Sequence, residues 1–457
     1  MAAPKPDPRE LRPAPINRVI GPIQRFMQIE AASGVVLLVC SVAALVAANI
    51  PALAEPFHDF WEFSLGFNVG DFRFEKSLHF WVNDGLMTVF FFVVGLEIKR
   101  EMMTGELRTV KQAALPVIAA VGGMLVPAGV YLAFGHTGAA GKGWGVPMAT
   151  DIAFVVGVMA AFGKRVPFGL KIFLLSLAIA DDMGAVIVIA VAYTEHVNLG
   201  WLGLAATALA MCVLMNQLGV RAVFAYVVFG AVTWLAMYQS QVHPTIAGVL
   251  LGLLTPHRAW LSRDTLRLAL DDVTGRMDSK NPDEEMNPAD VTVLRYASRE
   301  AVAPLQRLED HLHPWVGFVI MPVFALANAG VAVKPDSLAH PVSLAVAAGL
   351  IVGKPLGIVL FAWLAVQLKL ATLPTGVNWR MMLAAGFLGG IGFTMSLFIG
   401  ELAFDGETAL LADAKTGILL GSFVAAVVGA GLLWWGTGTG ARGRETGDRR
   451  QGTGKSG

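Results

Sequence analysis

Charge is scarce in this sequence. Only 15% of its 457 residues are charged, whereas a soluble globular chain carries about 25%. A soluble domain of this length would need far more polar surface than the sequence supplies. The shortage of charge therefore excludes a cytosolic enzyme and a disordered protein.

Cysteine and net charge are nearly absent as well. The two cysteines, Cys40 and Cys212, lie in apolar runs, so there is no disulfide framework and no metal-ligand spacing. Lys plus Arg and Asp plus Glu both number 34, which gives no sign of a nucleic-acid partner. The tail at 452–456 resembles a phosphate-binding loop, but Arg449 stands where its first glycine is required. We therefore expect no cofactor.

Long apolar runs dominate the chain instead. Hydrophobic residues make up 55% of the sequence, and its mean hydropathy is +0.61. The fold class predicted by this pattern is an all-α polytopic membrane protein with twelve transmembrane helices. The predicted spans are 31–50, 78–98, 113–134, 144–161, 168–193, 199–217, 221–238, 243–256, 314–333, 341–366, 380–403 and 412–436.

Lys and Arg concentrate in alternate connections between these runs. Because positive residues stay on the cytoplasmic side of a membrane, both termini are predicted to be cytoplasmic. The predicted organisation is a cytoplasmic N-terminal tail (1–30), a transmembrane domain (31–436) and a disordered cytoplasmic C-terminal tail (437–457). A long cytoplasmic loop (257–313) interrupts the transmembrane domain, and its charge pattern predicts partial disorder with one amphipathic helix near 295–312.

A short segment after the first span differs from the helical runs. Residues Phe67–Phe74 alternate in polarity around Gly70 and Asp71, which predicts a small β-hairpin on the outer face. A plain loop is the alternative.

Four ionisable residues lie close to the centres of predicted spans, namely Asp151, Asp181, Asp182 and Lys354. Ionisable groups are costly at that depth and usually functional. A buried ion pair that holds helices together is the alternative for Lys354. Adjacent residues on a helix project about 100° apart, so one lysine cannot satisfy both Asp181 and Asp182. We therefore predict cation or proton handling by this pair.

Carboxylates suit both cation binding and proton binding. They are hard oxygen ligands for small cations, and they hold protons more tightly when desolvated or beside a like charge. Competition between protons and a cation at one site couples the two fluxes. If two carboxylates release protons to bind one monovalent cation, each cycle moves net charge and the membrane potential drives it.

Two predicted spans are interrupted at the same depth. Span four contains Pro147–Asp151 and span eleven contains Gly389–Thr394. Spans 3–5 and 10–12 would form inverted repeats, and discontinuous helices at matching positions of such repeats indicate a transporter's binding site. The negative charge of Asp151 would offset the partial positive charge of helix N-termini, and the positive charge of Lys354 would offset the partial negative charge of helix C-termini. The alternative for each break is a packing glycine.

At these residues the sequence resembles the NhaA family of bacterial sodium/proton antiporters. That family is itself a known example of inverted-repeat architecture, so the repeats are not an independent argument. The resemblance covers nearly all of residues 20–435. The stretches that carry it are Phe90–Glu101, Ala149–Phe154, Leu177–Ala185, Gly353–Gly357 and Gly390–Ser396.

The resemblance implies a secondary active transporter rather than an enzyme. It implies electrogenic exchange of cytoplasmic Na⁺ or Li⁺ for external H⁺, switched on at alkaline pH, for sodium and pH homeostasis across the bacterial inner membrane. Asp181 and Asp182 would bind the sodium ion and the protons during alternating access. Thr150 and Asp151 would lie where the broken helices cross, and Lys354 would compensate charge by pairing with Asp181.

The resemblance also implies roles for residues outside the predicted transport site. Asp84 falls where the family has an aspartate, and the outer hairpin at 64–76 looks like the family's dimer contact. The residues matching positions linked to pH response are Glu97, Glu101, His243, Glu309 and His313. An ordinary solvated charge cluster is the alternative for the residues at the cytoplasmic ends of the spans.

Two departures from the family bear on the pH profile. Asp310 stands where a histidine often follows the loop glutamate, and the loop at 257–313 is longer than expected for the family. Both leave the residues of the predicted transport site unchanged.

Three rival functions make different predictions. An intramembrane aspartyl protease also uses paired carboxylates, but on two helices and with a Gly-x-Gly-Asp motif that this chain lacks. A passive cation channel would conduct without proton coupling. A carrier of organic solutes would need more polar groups at mid-depth than this sequence has.

Overall fold

The computed structural model describes residues 30–452, apart from 71, 136, 195–196, 221, 260, 279–287 and 333. Nearly all of the predicted N-terminal tail and the last five residues lie outside this part. The first half contains α1 (Glu30–Asn49), α2 (Pro51–Glu62), β1 (Ser64–Val69), β2 (Phe72–Ser77), α3 (Leu78–Met103), α4 (Val110–Ala133), a 3₁₀ helix (Gly138–Met148), α5 (Ile152–Phe162), α6 (Phe168–Ala192), α7 (Leu199–Gln217) and α8 (Val223–Gln239).

The second half begins with α9 (Thr245–Leu254), α10 (Arg263–Asp278) and α11 (Pro288–Glu300). It continues with α12 (Pro304–Trp315), a π-helical segment (Val316–Ile320), α13 (Met321–Asn328), α14 (Pro335–Ala339) and α15 (Pro341–Gln367). It ends with α16 (Trp379–Gly389), α17 (Phe393–Ala403) and α18 (Thr408–Gly452). The fold is thus almost entirely helical, as expected of a multi-pass membrane protein.

Eight helical segments in the described part of the chain are long and apolar enough to cross a membrane, and the bent pair α16–α17 brings the number to nine at most. Predicted spans seven, eight and nine correspond to shorter helices. At 1.5 Å per residue, the 17 residues of α8 extend about 25 Å, less than the roughly 30 Å hydrocarbon core. The ninth run is divided at the π-helical segment. Twelve spans and inverted repeats therefore stay predictions.

The predicted β-hairpin is confirmed. Strands β1 and β2 pair antiparallel with Phe67 opposite Phe74, and Gly70 adopts a positive φ of 61° at the turn. The buried Phe74 ring contacts Trp81 of α3 and Trp234 of α8. The hairpin therefore packs onto its own chain, and we call this side of the molecule the hairpin end.

The long loop differs from its prediction. It contains α10, α11 and most of α12, where one helix near 295–312 was predicted. The division between α11 and α12 has a physical cause, because the residue before a proline avoids the helical region, and Ala303 before Pro304 is extended with ψ 141°. The long loop lies on the side of the molecule opposite the hairpin, and we call this side the loop end.

The last helix continues to Gly452, past the predicted end of the membrane domain at 436. The boundaries of that domain and the disorder of the tail stay predictions.

The core brings α4 and α15 unusually close together. A Cβ added at Gly122 would lie 2.4 Å from the carbonyl oxygen of Gly357, and one added at Gly353 would lie 2.7 Å from Pro127 Cα. Small residues let membrane helices approach in this way. This contact sets the position of Lys354, which follows a π-helical segment (Gly349–Gly353) inside α15.

Candidate cation and proton site

The two predicted helix breaks lie against each other. The 3₁₀ helix ends at Met148 and α5 begins at Ile152, while α16 and α17 meet at a 45° bend. The Asp151 N–H donates to the Ile391 carbonyl at 2.7 Å. The Thr150 hydroxyl donates to the Gly389 carbonyl at 2.8 Å. Thr150 and Asp151 therefore lie at the crossing of two interrupted helices.

Asp151 accepts hydrogen bonds at the N-termini of both half-helices. Its Oδ1 accepts from the Phe154 N–H of α5 at 3.2 Å. Its Oδ2 accepts from the Thr394 N–H of α17 at 3.1 Å and from the Thr394 hydroxyl. Unpaired N–H groups give a helix N-terminus partial positive charge, so this carboxylate compensates two such ends.

Lys354 connects α15 to the other broken helix and to α6. Its Nζ donates to Asp181 Oδ2 at 2.5 Å and to the Met148 carbonyl at the end of the 3₁₀ helix. Only 1% of the Lys354 side chain and 2% of the Asp181 side chain are exposed. A buried lysine thus meets both a carboxylate and the negative end of a helix.

The neighbouring Asp182 lacks such a partner. Its residue is 2% exposed, and its Oδ1 accepts no hydrogen bond from any described residue, nor does Oδ1 of Asp181. Asp181, Glu97 and Asp151 all act on Asp182 as like charges, against Lys354 as the opposite charge. Buried polar atoms are nearly always paired, so these oxygens mark places for a proton or a cation.

The net charge of the site agrees with these unpaired oxygens. Asp151, Asp181 and Asp182 face a single ammonium group. With all four groups ionised, the site carries an excess of two negative charges, which a buried environment does not tolerate without compensation. The helix N-termini at Asp151 supply part of it, and a proton or a cation at the acidic pair can supply the rest.

Four of the five pH-response candidates gather at the loop end. Glu97 Oε1 lies 3.6 Å from His313 Nδ1. Arg100 forms an ion pair with Glu309 and lies 3.3 Å from Glu101 Oε1. Arg100, which links the two carboxylates, was not among the predicted site residues, although it belongs to a stretch that carries the resemblance.

Two groups in this cluster titrate away from their ordinary range. Burial raises the pKa of the Glu309 carboxyl, although Arg100 opposes it. The carboxylate of Glu97 raises the pKa of the His313 imidazole. Both shifts favour a bound proton, so the cluster loses charge balance as the pH rises.

The fifth candidate, His243, lies elsewhere. Its Nε2 is 3.7 Å from Asp84 Oδ1, its Nδ1 is 2.7 Å from the Thr245 hydroxyl, and its ring packs on Phe398. It does not join the loop-end cluster because α9, which follows it, packs along α3 beginning near Thr88. The structure instead places it beside Asp84.

Sequence reasoning missed two polar residues of α17. Thr394 binds Asp151, as described above, and the Ser396 hydroxyl donates to the Val146 carbonyl at 2.8 Å. The available signal was their position directly after the glycine break. Among the described residues there is no group of three or more His, Cys, Asp or Glu residues that could hold a metal ion.

Comparison with known proteins identifies the family. The profile of the family described as Na⁺/H⁺ antiporter 1 matches residues 24–433. The Na(+)/H(+) antiporter NhaA of Rhodopirellula baltica is 49% identical to this chain, with 92% of this chain and 95% of the relative covered. The Na(+)/H(+) antiporter NhaA 2 of Myxococcus xanthus is 49% identical over 93% and 92%. The Na(+)/H(+) antiporter NhaA of Rhizobium meliloti is 46% identical over 92% and 95%.

The matched residues include both broken helices, α6 with its acidic pair, and Lys354. With this coverage and identity, the chain belongs to the NhaA family of Na⁺/H⁺ antiporters.

Proposed function

We propose that this protein exchanges Na⁺ or Li⁺ from the cytoplasm for external H⁺, electrogenically and without a cofactor. The observation that carries the proposal is the buried Asp181–Asp182 pair, which has one lysine partner and an unpaired oxygen on each carboxylate. Carboxylate oxygens bind both protons and small cations. One site that accepts either ligand, but not both together, couples their movements.

The cycle follows from this competition. In the proton-loaded state, one proton neutralises Asp182 and a second is held between Lys354 and Asp181. An arriving sodium ion takes oxygens from both carboxylates and displaces the protons. Because the two carboxylates titrate as a unit, the released protons belong to the pair rather than to one residue. Release of two protons per sodium ion makes each exchange move one net charge.

Alternating access would expose this site to one side of the membrane at a time. The crossing at Asp151 supports this proposal, because discontinuous helices in a transporter allow the two halves to move around a fixed site. Twelve spans with inverted repeats at spans 3–5 and 10–12, and cytoplasmic termini, belong to the same proposal. They place the loop end in the cytoplasm of a bacterial cell and the hairpin end outside its inner membrane.

Two further elements complete the proposal. The loop-end cluster supports activation at alkaline pH, because loss of the His313 proton removes its attraction to Glu97 across α3 and α12.

The hairpin at 64–76 would join two subunits into a homodimer, which the exposed Leu65 side chain supports. Cross-linking of single-cysteine variants in the hairpin tests the dimer.

The exchange itself is tested by proton flux. Proteoliposomes with an acidic interior receive Na⁺, Li⁺ or K⁺ outside, between about pH 6.5 and about pH 9. Wild type should dissipate the proton gradient with Na⁺ or Li⁺ but not with K⁺, and Asp182→Asn should abolish this response. Asp336→Asn is the matched control, because this exposed aspartate of α14 lies outside the site and the loop-end cluster and should leave the response intact.

Each negative result has a separate meaning. If no added cation moves protons through wild type at any pH, the protein is not a proton-coupled exchanger. If sodium crosses without proton movement, the protein is a passive channel. If Asp182→Asn exchanges normally, the acidic pair is not the site.

A further inference from the structure

A second polar cluster lies at the hairpin end, outside the site described above. It contains His79 and Asn83 of α3, Asn328 of α13, Glu401 of α17 and Lys415 of α18. Four helices therefore contribute to it, and α3 lies more than 200 residues before the other three. Asn328 is fully buried, while the His79 side chain is 28% exposed, so the cluster extends from the surface into the core.

The two asparagines fix the state of the histidine ring. Asn328 Nδ2 donates to Asn83 Oδ1 at 2.7 Å and to the Phe324 carbonyl at 3.0 Å, so its Oδ1 is the atom that faces His79. His79 Nε2 lies 3.1 Å from that oxygen and 3.8 Å from Glu401 Oε1. Nε2 therefore has two acceptors and one donor as neighbours, the donor being Asn83 Nδ2 at 3.4 Å. Because acceptors predominate, Nε2 carries the hydrogen. Nδ1 then remains to take a proton, and the described residues give it no hydrogen-bond partner.

One carboxylate lies near the His79 ring. Glu401 lies between His79 and Lys415, whose Nζ is 2.6 Å from its Oε1. Two other histidines at this end face different carboxylates: His243 Nε2 lies 3.7 Å from Asp84 Oδ1, and His340 Nδ1 lies 3.1 Å from Asp413 Oδ2. Lys76 and Asp405 act on Asp84. Glu401 is therefore the carboxylate that meets a charge on His79.

The position of Glu401 connects this cluster to the crossing. Glu401 follows Thr394 by seven residues on α17 and so lies on the same helix face, about 10 Å closer to the hairpin end. Phe398 occupies that face between them, and its ring packs on Phe91 and Phe324. All three rings are buried. This aromatic layer separates the polar cluster from Asp151.

We infer that His79 is the outer proton acceptor of the exchange cycle, held by Asn328 and balanced in charge by Glu401. This inference rests on the proposed function. A proton from external water adds to Nδ1, and the Glu401 carboxylate balances the charge of the ring. When the Phe398 layer opens in the outward-facing state, water carries that proton to the acidic pair.

Sodium efflux from right-side-out membrane vesicles tests the inference, with the internal pH fixed and the external pH varied between about 6 and about 9. His79→Gln should slow efflux at least about tenfold at alkaline external pH, a loss typical of removing a proton-transfer group. At acidic external pH, abundant protons should bring its rate close to that of wild type. Glu401→Gln should shift the profile in the same direction.

Two controls separate this role from a structural one. His340→Asn removes another histidine that faces a carboxylate at the hairpin end, and it should keep the wild-type profile. Sodium–sodium exchange, which needs no proton, should be unchanged in His79→Gln.

An unchanged external-pH profile in His79→Gln would overturn the inference. Loss of sodium–sodium exchange in that variant would do so too, because it would assign His79 a structural role. Failure of wild type itself to exchange sodium for protons would instead overturn the proposed function.

Discussion

At the scale of residues, the Lys354–Asp181 pair illustrates how function and stability are linked in a buried site. Removing one partner of such a pair leaves an uncompensated charge, which costs about 3–5 kcal/mol. We expect Lys354→Gln to lower stability by that order. The double variant Lys354→Gln with Asp181→Asn should recover much of the loss, because neither charge remains.

Thermal unfolding in detergent of the two single variants and the double variant measures this coupling. Lys171→Gln, on the half-buried face of the same α6 helix, serves as the control and should change little. Additive losses in the double variant would show that the pair is not coupled.

Thr394 provides a second prediction at this scale. Its hydroxyl and its N–H both donate to Asp151 Oδ2. Thr394→Val keeps the shape but leaves the carboxylate short of one donor, at a cost of about 1–3 kcal/mol. Thr394→Ser retains the hydroxyl and should cost less. Comparison of the two unfolding temperatures decides the point, and equal losses would exclude the hydrogen bond as the cause.

The sequence predicted some of these residues and not others for a physical reason. Asp151, Asp181, Asp182 and Lys354 could be found because a charge at the centre of an apolar run needs an explanation. Thr394 and Arg100 carry no such signal, since threonine is common in membrane helices and arginine is common at their ends. Their importance comes from partners about 200 or more residues away, at Asp151 and Glu309.

At the scale of elements, the contact between α4 and α15 holds Lys354 in place. Gly122→Ala would put a Cβ 2.4 Å from both the Gly357 carbonyl and Phe361, and such overpacking typically costs about 1–3 kcal/mol. Gly129 is on the same helix and has nothing within 4 Å, so Gly129→Ala is the matched control. We expect it to be neutral or stabilising, because alanine favours a helix.

Unfolding temperatures and sodium-driven proton flux should both fall for Gly122→Ala alone. Equal behaviour of the two variants would mean that this close approach does not constrain the site.

The link between α3 and α12 predicts how stability depends on pH. Because Glu97 raises the pKa of His313, their attraction contributes in full below the ordinary pKa of 6.5 and is lost as the pH rises through the raised value. The His313 side chain is 71% exposed, so solvent screening limits the effect to less than about 1 kcal/mol.

We therefore expect wild type to exceed His313→Gln in thermal stability at acidic pH, with the difference vanishing at alkaline pH. A difference that grows as the pH rises would contradict the assigned sign.

Elements were predictable to different degrees. The breaks at 147–151 and 389–394 followed from proline and glycine, and the hairpin followed from alternation around Gly70 and Asp71. The division of the ninth run into α12, the π-helical segment and α13 did not follow, because apolar composition does not distinguish a π-helical turn from an α-helical one. Apolar length alone also could not show that α9 is only ten residues long.

At the scale of the whole molecule, the described chain has two polar regions near opposite ends and an acidic site at the helix crossing between them. The loop-end cluster connects α3 to α12, and the hairpin-end cluster connects α3 to α13, α17 and α18. The aromatic layer at Phe398 lies between the crossing and the hairpin end. This arrangement suits a cycle in which one ligand enters from each side and both compete for one site.

The central claim is that the acidic pair exchanges more than one proton for each sodium ion. Proteoliposomes with equal pH and equal sodium on both sides isolate this claim when a potassium diffusion potential is the only driving force. An inside-negative potential should then drive protons in and sodium out of wild-type vesicles, and Asp182→Asn should show no sodium movement. If sodium stays at equilibrium under the potential yet moves under a pH gradient, the exchange is electroneutral and the account of the pair is wrong.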